Sequence, residues 1–233
     1  MRTYRLELRL IQVASALAVI VLILGFLGLW GQGDKSSGEK AGVQETAGSG
    51  TAAIQTPSNS KIVALGDSFT LGYPLDAEHS WTQSLADALK ITVVNKGKGQ
   101  QTSKDLLARF DKDVVTEKPG RVIIFAGTGD AIQGVPLKDV QTNIGAMVEK
   151  AKSSNIIPVL ALPVWYSGYQ QGIKEIRDWE VDYAKKQSIM TLDFSTVLFD
   201  DNKKYLNGLS SDGKYPNAKG YKAMGDYAAQ VLK

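Results

Sequence analysis

An apolar run, Ile62-Val63-Ala64-Leu65, leads straight into Gly66-Asp67-Ser68 and places a hydroxyl where a buried strand would hand over to a turn. At the carboxyl end of a strand in an open α/β sheet, such a serine can attack an acyl carbon. Nearby backbone N–H groups can then receive the developing oxyanion. The same triplet also serves as an ordinary Asx-type turn that ends a strand. Serine chemistry near pH 7 needs a neutral base within reach, and His79 is the single histidine of the chain. It precedes Ser80, a helix-cap candidate, and reads better as a surface loop residue than as a substitute base. The chain has no cysteine, which excludes disulfides, thiolate metal sites and thiol nucleophiles. One histidine excludes a multi-histidine metal site, and no cofactor is expected.

The elements that must position Ser68 follow from hydrophobic periodicity. Residues 61–233 alternate strand and helix patterns at βα spacing. Strands are expected at Ile62–Leu65, Ile91–Val94, Arg121–Ala126, Ile156–Leu162 and Ile189–Phe194. Ser80 with Gln83, and Thr102 with Asp105, form capping boxes for two intervening helices. The second of these carries Leu106, Phe110 and Val114. Apolar stripes at Val140, Ile144, Met147 and Ala151, at Ile173, Ile176, Trp179 and Tyr183, and at Tyr221, Met224, Ala228 and Val231 mark three more. Five strands separated by helices predict an α/β fold, a three-layer α/β/α sandwich on a five-stranded parallel sheet.

Three further stretches meet the serine at strand ends or ahead of the last helix. They are Asn95-Lys96-Gly97-Lys98-Gly99-Gln100, Gly127-Thr128-Gly129-Asp130 and Asp212-Gly213-Lys214-Tyr215-Pro216. With Gly66-Asp67-Ser68 they form four blocks whose order and spacing resemble the SGNH or GDSL hydrolases, serine esterases and lipases on a flavodoxin-like sheet. The resemblance covers essentially all of residues 61–233. It implies that Ser68 is the nucleophile, that the Ser68 and Gly97 N–H groups are oxyanion donors, and that Asp212 orients a base. Two positions depart from the pattern. The family's third block carries an asparagine amide where this chain has Gly129, and its last block carries the general-base histidine where this chain has Tyr215. Gln100 stands where a second loop glycine usually lies. Tyrosine, with an ordinary pKa near 10, is a donor rather than a base at neutral pH.

The amino terminus is of another kind. Arg2, Arg5 and Arg9 precede an uncharged run from Val13 to Trp30, which Leu10 and Ile11 lengthen to nearly span a bilayer. Residues 1–30 are therefore expected to be a cytoplasmic stub and one transmembrane helix, anchoring the chain through residues 10–30 with the domain outside the cytoplasm. Secretion after cleavage is the alternative. Residues 31–60, rich in Gly, Ser, Thr and Ala, are expected to be a flexible linker to the domain at 61–233. Among 233 residues the net charge is only +3 and basic side chains are interleaved with acidic ones, so nucleic acid is not an expected partner. The resemblance implies an acyl or acetyl ester as ligand, on a lipid or a cell-envelope glycan. Three functions stay open: a weak or inactive hydrolase, an active esterase or lipase with a non-family base, and a binding pseudoenzyme. A cleft lined by Ser68, Trp165 and Tyr166 would favour binding, and an imidazole near Ser68 would favour catalysis.

Overall fold

The computed structural model describes residues 56–233. The anchor expected over 1–30 and nearly all of the linker lie outside the described residues. Five strands form one parallel sheet: β1 (Ile62–Gly66), β2 (Val93–Gly97), β3 (Arg121–Phe125), β4 (Ile157–Ala161) and β5 (Met190–Leu192). Their order across the sheet is β2-β1-β3-β4-β5. The connections therefore reverse direction between β1 and β3, and the loops leaving those two strands diverge around a crevice.

Alternation along each strand separates two cores. Ile62, Ala64, Ile123 and Phe125 face a layer containing α2 (Trp81–Leu89) and α9 (Ala218–Leu232). Val63, Leu65, Val122 and Ile124 face α3 (Ser103–Ala108), α4 (Phe110–Asp113), α6 (Leu137–Ser153) and α7 (Gln170–Gln187). The remaining helices are short: α1 (Ser68–Leu71), α5 (Thr128–Gln133) and α8 (Ser195–Leu198). Ile62, Val63 and Leu65 are fully buried, and together they stabilise the fold by roughly 5–9 kcal/mol relative to exposure. β1 is thus a fixed base for the serine that follows it. In register, Gly66 pairs with Gly97 and Phe125, and Phe125 with Ala161, so four strands end at one level and deliver their loops to one edge.

Several boundaries differ from expectation for physical reasons. The second strand starts at Val93 and runs through Asn95 and Lys96, because it is an edge strand whose residues are all only half-buried. The helix expected through Leu106, Phe110 and Val114 breaks at Arg109, whose guanidinium turns inward to Asp113 and to the carbonyls of Gly66 and Lys96. Thr102 with Asp105 does cap α3 (2.9 Å), whereas Ser80 caps α2 without Gln83, which bonds to Asp87. Ahead of β1, Asn59 bonds to Lys118 O and Gly120 N.

Candidate active site

Ser68 opens α1, one turn of helix whose first free N–H groups are handled by Asp67: the Asp67 carboxylate accepts from Phe69 N at 2.9 Å. Both residues are buried, and Ser68 keeps about 8% of its surface. Gly97 determines how close this turn sits to β2, because a Cβ there would lie 2.1 Å from Leu71 N. The Gly97 N–H donates to Asn95 Oδ1 (2.8 Å), and Asn95 Nδ2 donates to Thr70 O (2.7 Å), clamping α1 onto the sheet. The backbone donor that reaches Ser68 Oγ is the N–H of Gln100, at 3.1 Å. Gln100 holds a left-handed backbone, φ 59°, the conformation glycine adopts most easily.

The loop around Gln100 is fixed from two sides. Gln133 Nε2 donates to Gln100 O (2.9 Å), and Arg109 Nε to Gln101 Oε1 (2.7 Å). It closes over the third block so tightly that a Cβ on Gly129 would lie 2.2 Å from Gln101 O. Position 129 therefore has no room for a side chain unless this loop moves. Asp130 is buried beneath, accepting from Ser103 N, Ser103 Oγ (2.7 Å) and Gly127 N. Burial pushes the Asp130 carboxyl up. Burial likewise pushes the Asp67 carboxyl up, to about 7, against the Phe69 N–H that favours its charged form.

The last block brings Tyr215 to the serine. Tyr215 lines two depressions beside Ser68 together with Tyr166, and its pKa is raised by burial first and by Tyr166 next. The ring packs on Phe69 (5.1 Å), Tyr73 (4.8 Å) and Tyr166 (5.6 Å). Asp212 supports this residue through the backbone: its Oδ1 accepts from Lys214 N (2.8 Å) and Tyr215 N (2.9 Å). Partial burial raises the Asp212 carboxyl, but these N–H donors prevail and hold it below the usual carboxylate range. Its Oδ2 accepts no hydrogen bond from the described residues.

Ser68 lies between two depressions. One, of about 550 Å³, is lined by Ser68, Tyr73, Gln100, Tyr166, Asp212 and Tyr215 among others. The other, of about 390 Å³, adds Asp67, Thr128 and Gly129. Tyr166 thus joins Ser68 as expected, but Trp165 faces the other way, into a separate depression with Lys203 and Lys204. His79 is held by Asp76 at 2.7 Å and lines another groove with Gln83 and Lys222. No described residue brings an imidazole to Ser68. Four contributors escaped sequence reasoning: Gln100 N–H, Gln133, Arg109 and Tyr73. Only Gln100 left a signal, as the non-glycine in a glycine-bearing loop.

Residues 64–223 match the family described as GDSL-like Lipase/Acylhydrolase. An arylesterase of Vibrio mimicus is 33% identical over 99 residues, covering 40% of this chain and half the length of that protein. Thioesterase 1/protease 1/lysophospholipase L1 of Escherichia coli K12 is 26% identical over 180 residues, 74% of this chain and 83% of that one. A solved structure titled as a lipolytic protein of the G-D-S-L family, from Desulfitobacterium hafniense DCB-2, is 57% identical. It superimposes with a TM-score of 0.74 over 75% of this chain and all of that one.

Proposed function

This chain belongs to the GDSL-like lipase/acylhydrolase family, and from that premise we propose that it binds an acyl or acetyl ester at Ser68 and hydrolyses it slowly or not at all. The observation that carries the reading is Tyr215. By resemblance it takes the position of the family's histidine, it lines both depressions beside Ser68, and burial raises its pKa further above neutrality. A protonated phenol can donate to Ser68 or to a bound carbonyl, but it cannot accept the serine proton near pH 7. In this reading Ser68 keeps two oxyanion donors, its own N–H and that of Gln100, while the third donor is absent at Gly129. Losing one such donor costs roughly 10²–10³ in rate, and losing the base costs several powers of ten. The site then acts as a receptor for a lipid or cell-envelope glycan ester. Anchoring through residues 10–30, with the domain outside the cytoplasm, would present it to such ligands.

Asp67 supports a second reading, an active esterase with a non-family base. Its carboxyl, pushed up to about 7, lines the same depression as Ser68. Turnover of a short p-nitrophenyl ester by the unaltered protein, Ser68→Ala and Asp67→Asn separates the two. The receptor reading expects the unaltered protein and Ser68→Ala to differ by less than about tenfold. Robust Ser68-dependent turnover, lost in Asp67→Asn together with an apparent pKa near 7, overturns it in favour of the second.

A further inference from the structure

Three tyrosines from three separate segments meet in the larger depression beside Ser68. Tyr73 follows α1, Tyr166 follows β4 and Tyr215 precedes α9. The Tyr73 and Tyr166 rings stand at 75° and 68° to the Tyr215 ring, with centroids 4.8 and 5.6 Å from it. Two of the three rings are thus set nearly perpendicular to the third, and all three line one depression. Hydrogen bonds hold the backbone at or near these tyrosines. Tyr221 donates to Tyr73 O (2.6 Å), Arg177 to Pro163 O (2.8 Å), and Ser210 to Tyr215 O (2.6 Å). The same depression holds one carboxylate, Asp212, and one ammonium, Lys214, which makes no ion pair with the described residues.

We propose that this depression is a receptor for a trimethylammonium group joined to a phosphate, a phosphocholine-type head, enclosed by Tyr73, Tyr166 and Tyr215. A flat sugar ring is gripped by parallel ring faces, whereas rings set nearly perpendicular to one another around one depression suit a ball-shaped group. Electron-rich tyrosine faces attract a cation, and a methylated ammonium also buries apolar surface that a primary ammonium lacks. Asp212 adds the negative charge. Its carboxylate is kept ionised by the Lys214 and Tyr215 N–H donors, which outweigh partial burial. Lys214 would repel a bare cation but attracts the attached phosphate, so the two charges select a zwitterion. Ser68 lines the same depression, within which the group that the phosphate carries would lie. This inference rests on the reading of the Ser68 cleft as a ligand site.

Calorimetric titration of the full-length protein in a non-ionic detergent tests it. The probes are phosphocholine, choline, phosphoethanolamine and the neutral isostere 3,3-dimethyl-1-butanol. Phosphocholine is expected to bind best and the isostere not measurably. Tyr73→Leu, at a half-exposed residue, is expected to weaken phosphocholine roughly five- to thirty-fold while the lost Tyr215 ring contact lowers the melting temperature by no more than a few degrees, and Tyr166→Leu to weaken it similarly. Water-soluble dibutyryl phosphatidylcholine distinguishes the source: tighter binding than phosphocholine indicates a lipid, and equal binding a free headgroup. Equal binding of the isostere, unchanged affinity in Tyr73→Leu, or no phosphocholine heat up to about 10 mM overturns the proposal. Ester turnover dependent on Ser68 is measured separately, so failure of the headgroup site is told apart from failure of the receptor reading on which it rests.

Discussion

Replacing Gly129 with alanine sets two effects against each other. Gly129 lies in α5, and helix propensity alone favours alanine by about 1 kcal/mol. Its Cβ, however, would sit 2.2 Å from Gln101 O and 3.1 Å from Gln101 C, both backbone atoms. That carbonyl cannot move cheaply: Gln133 holds residue 100, Arg109 holds the Gln101 side chain, and the Asp105 carboxylate holds Thr102. Overpacking against fixed backbone costs up to about 3 kcal/mol, so the clash wins by about 2 kcal/mol. For a domain of this size, that lowers the melting temperature by about 4–8 °C. Thermal unfolding followed by circular dichroism reads it directly. A melting temperature equal to or above that of the unaltered protein would show that the loop yields, and that an asparagine amide could be restored there. If the loop is as tight as the geometry shows, Gly129→Asn fails for want of space whatever the base at position 215.

Arg109→Met should destabilise by about 1.5–3 kcal/mol, since it takes from buried Asp113 its closest partner, leaving Lys98 at 3.7 Å, and removes a charged donor from the carbonyls of Lys96 and Gly66, the latter keeping the Lys98 N–H; a denaturant midpoint within error of the unaltered protein contradicts this. Asp67 binds its proton more tightly folded than unfolded, so its contribution to stability is fully present below about pH 4 and is lost as pH rises through about 7. Asp67→Asn keeps the cap to Phe69 N, so it should melt several degrees above the unaltered protein at pH 8 and level with it at pH 4; the reverse order refutes the assignment. Protease added to spheroplasts should remove the domain and leave an amino-terminal stub, and full protection would place the domain inside.

The sheet was legible because its strands are short apolar runs at βα spacing, a signal that burial on both faces imposes directly. β2 blurred at the edge, where Asn95 and Lys96 interrupt the apolar pattern without leaving the ladder. On α7 the buried positions are Ile173, Ile176, Glu180 and Ala184. A glutamate in that stripe reads as outward-facing, yet Glu180 is buried with Oε2 unpartnered, and burial pushes its carboxyl up. Ser68, Asp212, Gly129 and Tyr215 stood out by type because their blocks are contiguous in sequence, and the fold brings them to the two depressions around Ser68. The loop donor was harder, because a backbone N–H carries no side-chain signature: Gly97 suggested it by type, and the fold directs Gln100 N–H at the serine instead. Tyr73 and Arg109 act through long-range contacts with segments distant in sequence, which no local pattern encodes.

The claim that Ser68 lacks a base is tested most directly by the pH dependence of kcat/KM for a short p-nitrophenyl ester in Tyr215→His, beside the unaltered protein and each one's Ser68→Ala counterpart. The free Oδ2 of Asp212 remains to orient an imidazole at position 215. The replacement forfeits aromatic contacts with Phe69, Tyr73 and Tyr166, about 0.5–1.5 kcal/mol each, which the fold should tolerate. Tyr215→His is predicted to gain at least about 10² in kcat/KM at pH 7, to lose that gain with Ser68→Ala, and to rise through an apparent pKa of about 6–7. Efficient Ser68-dependent turnover by the unaltered protein at pH 7, with no gain in Tyr215→His, would contradict it.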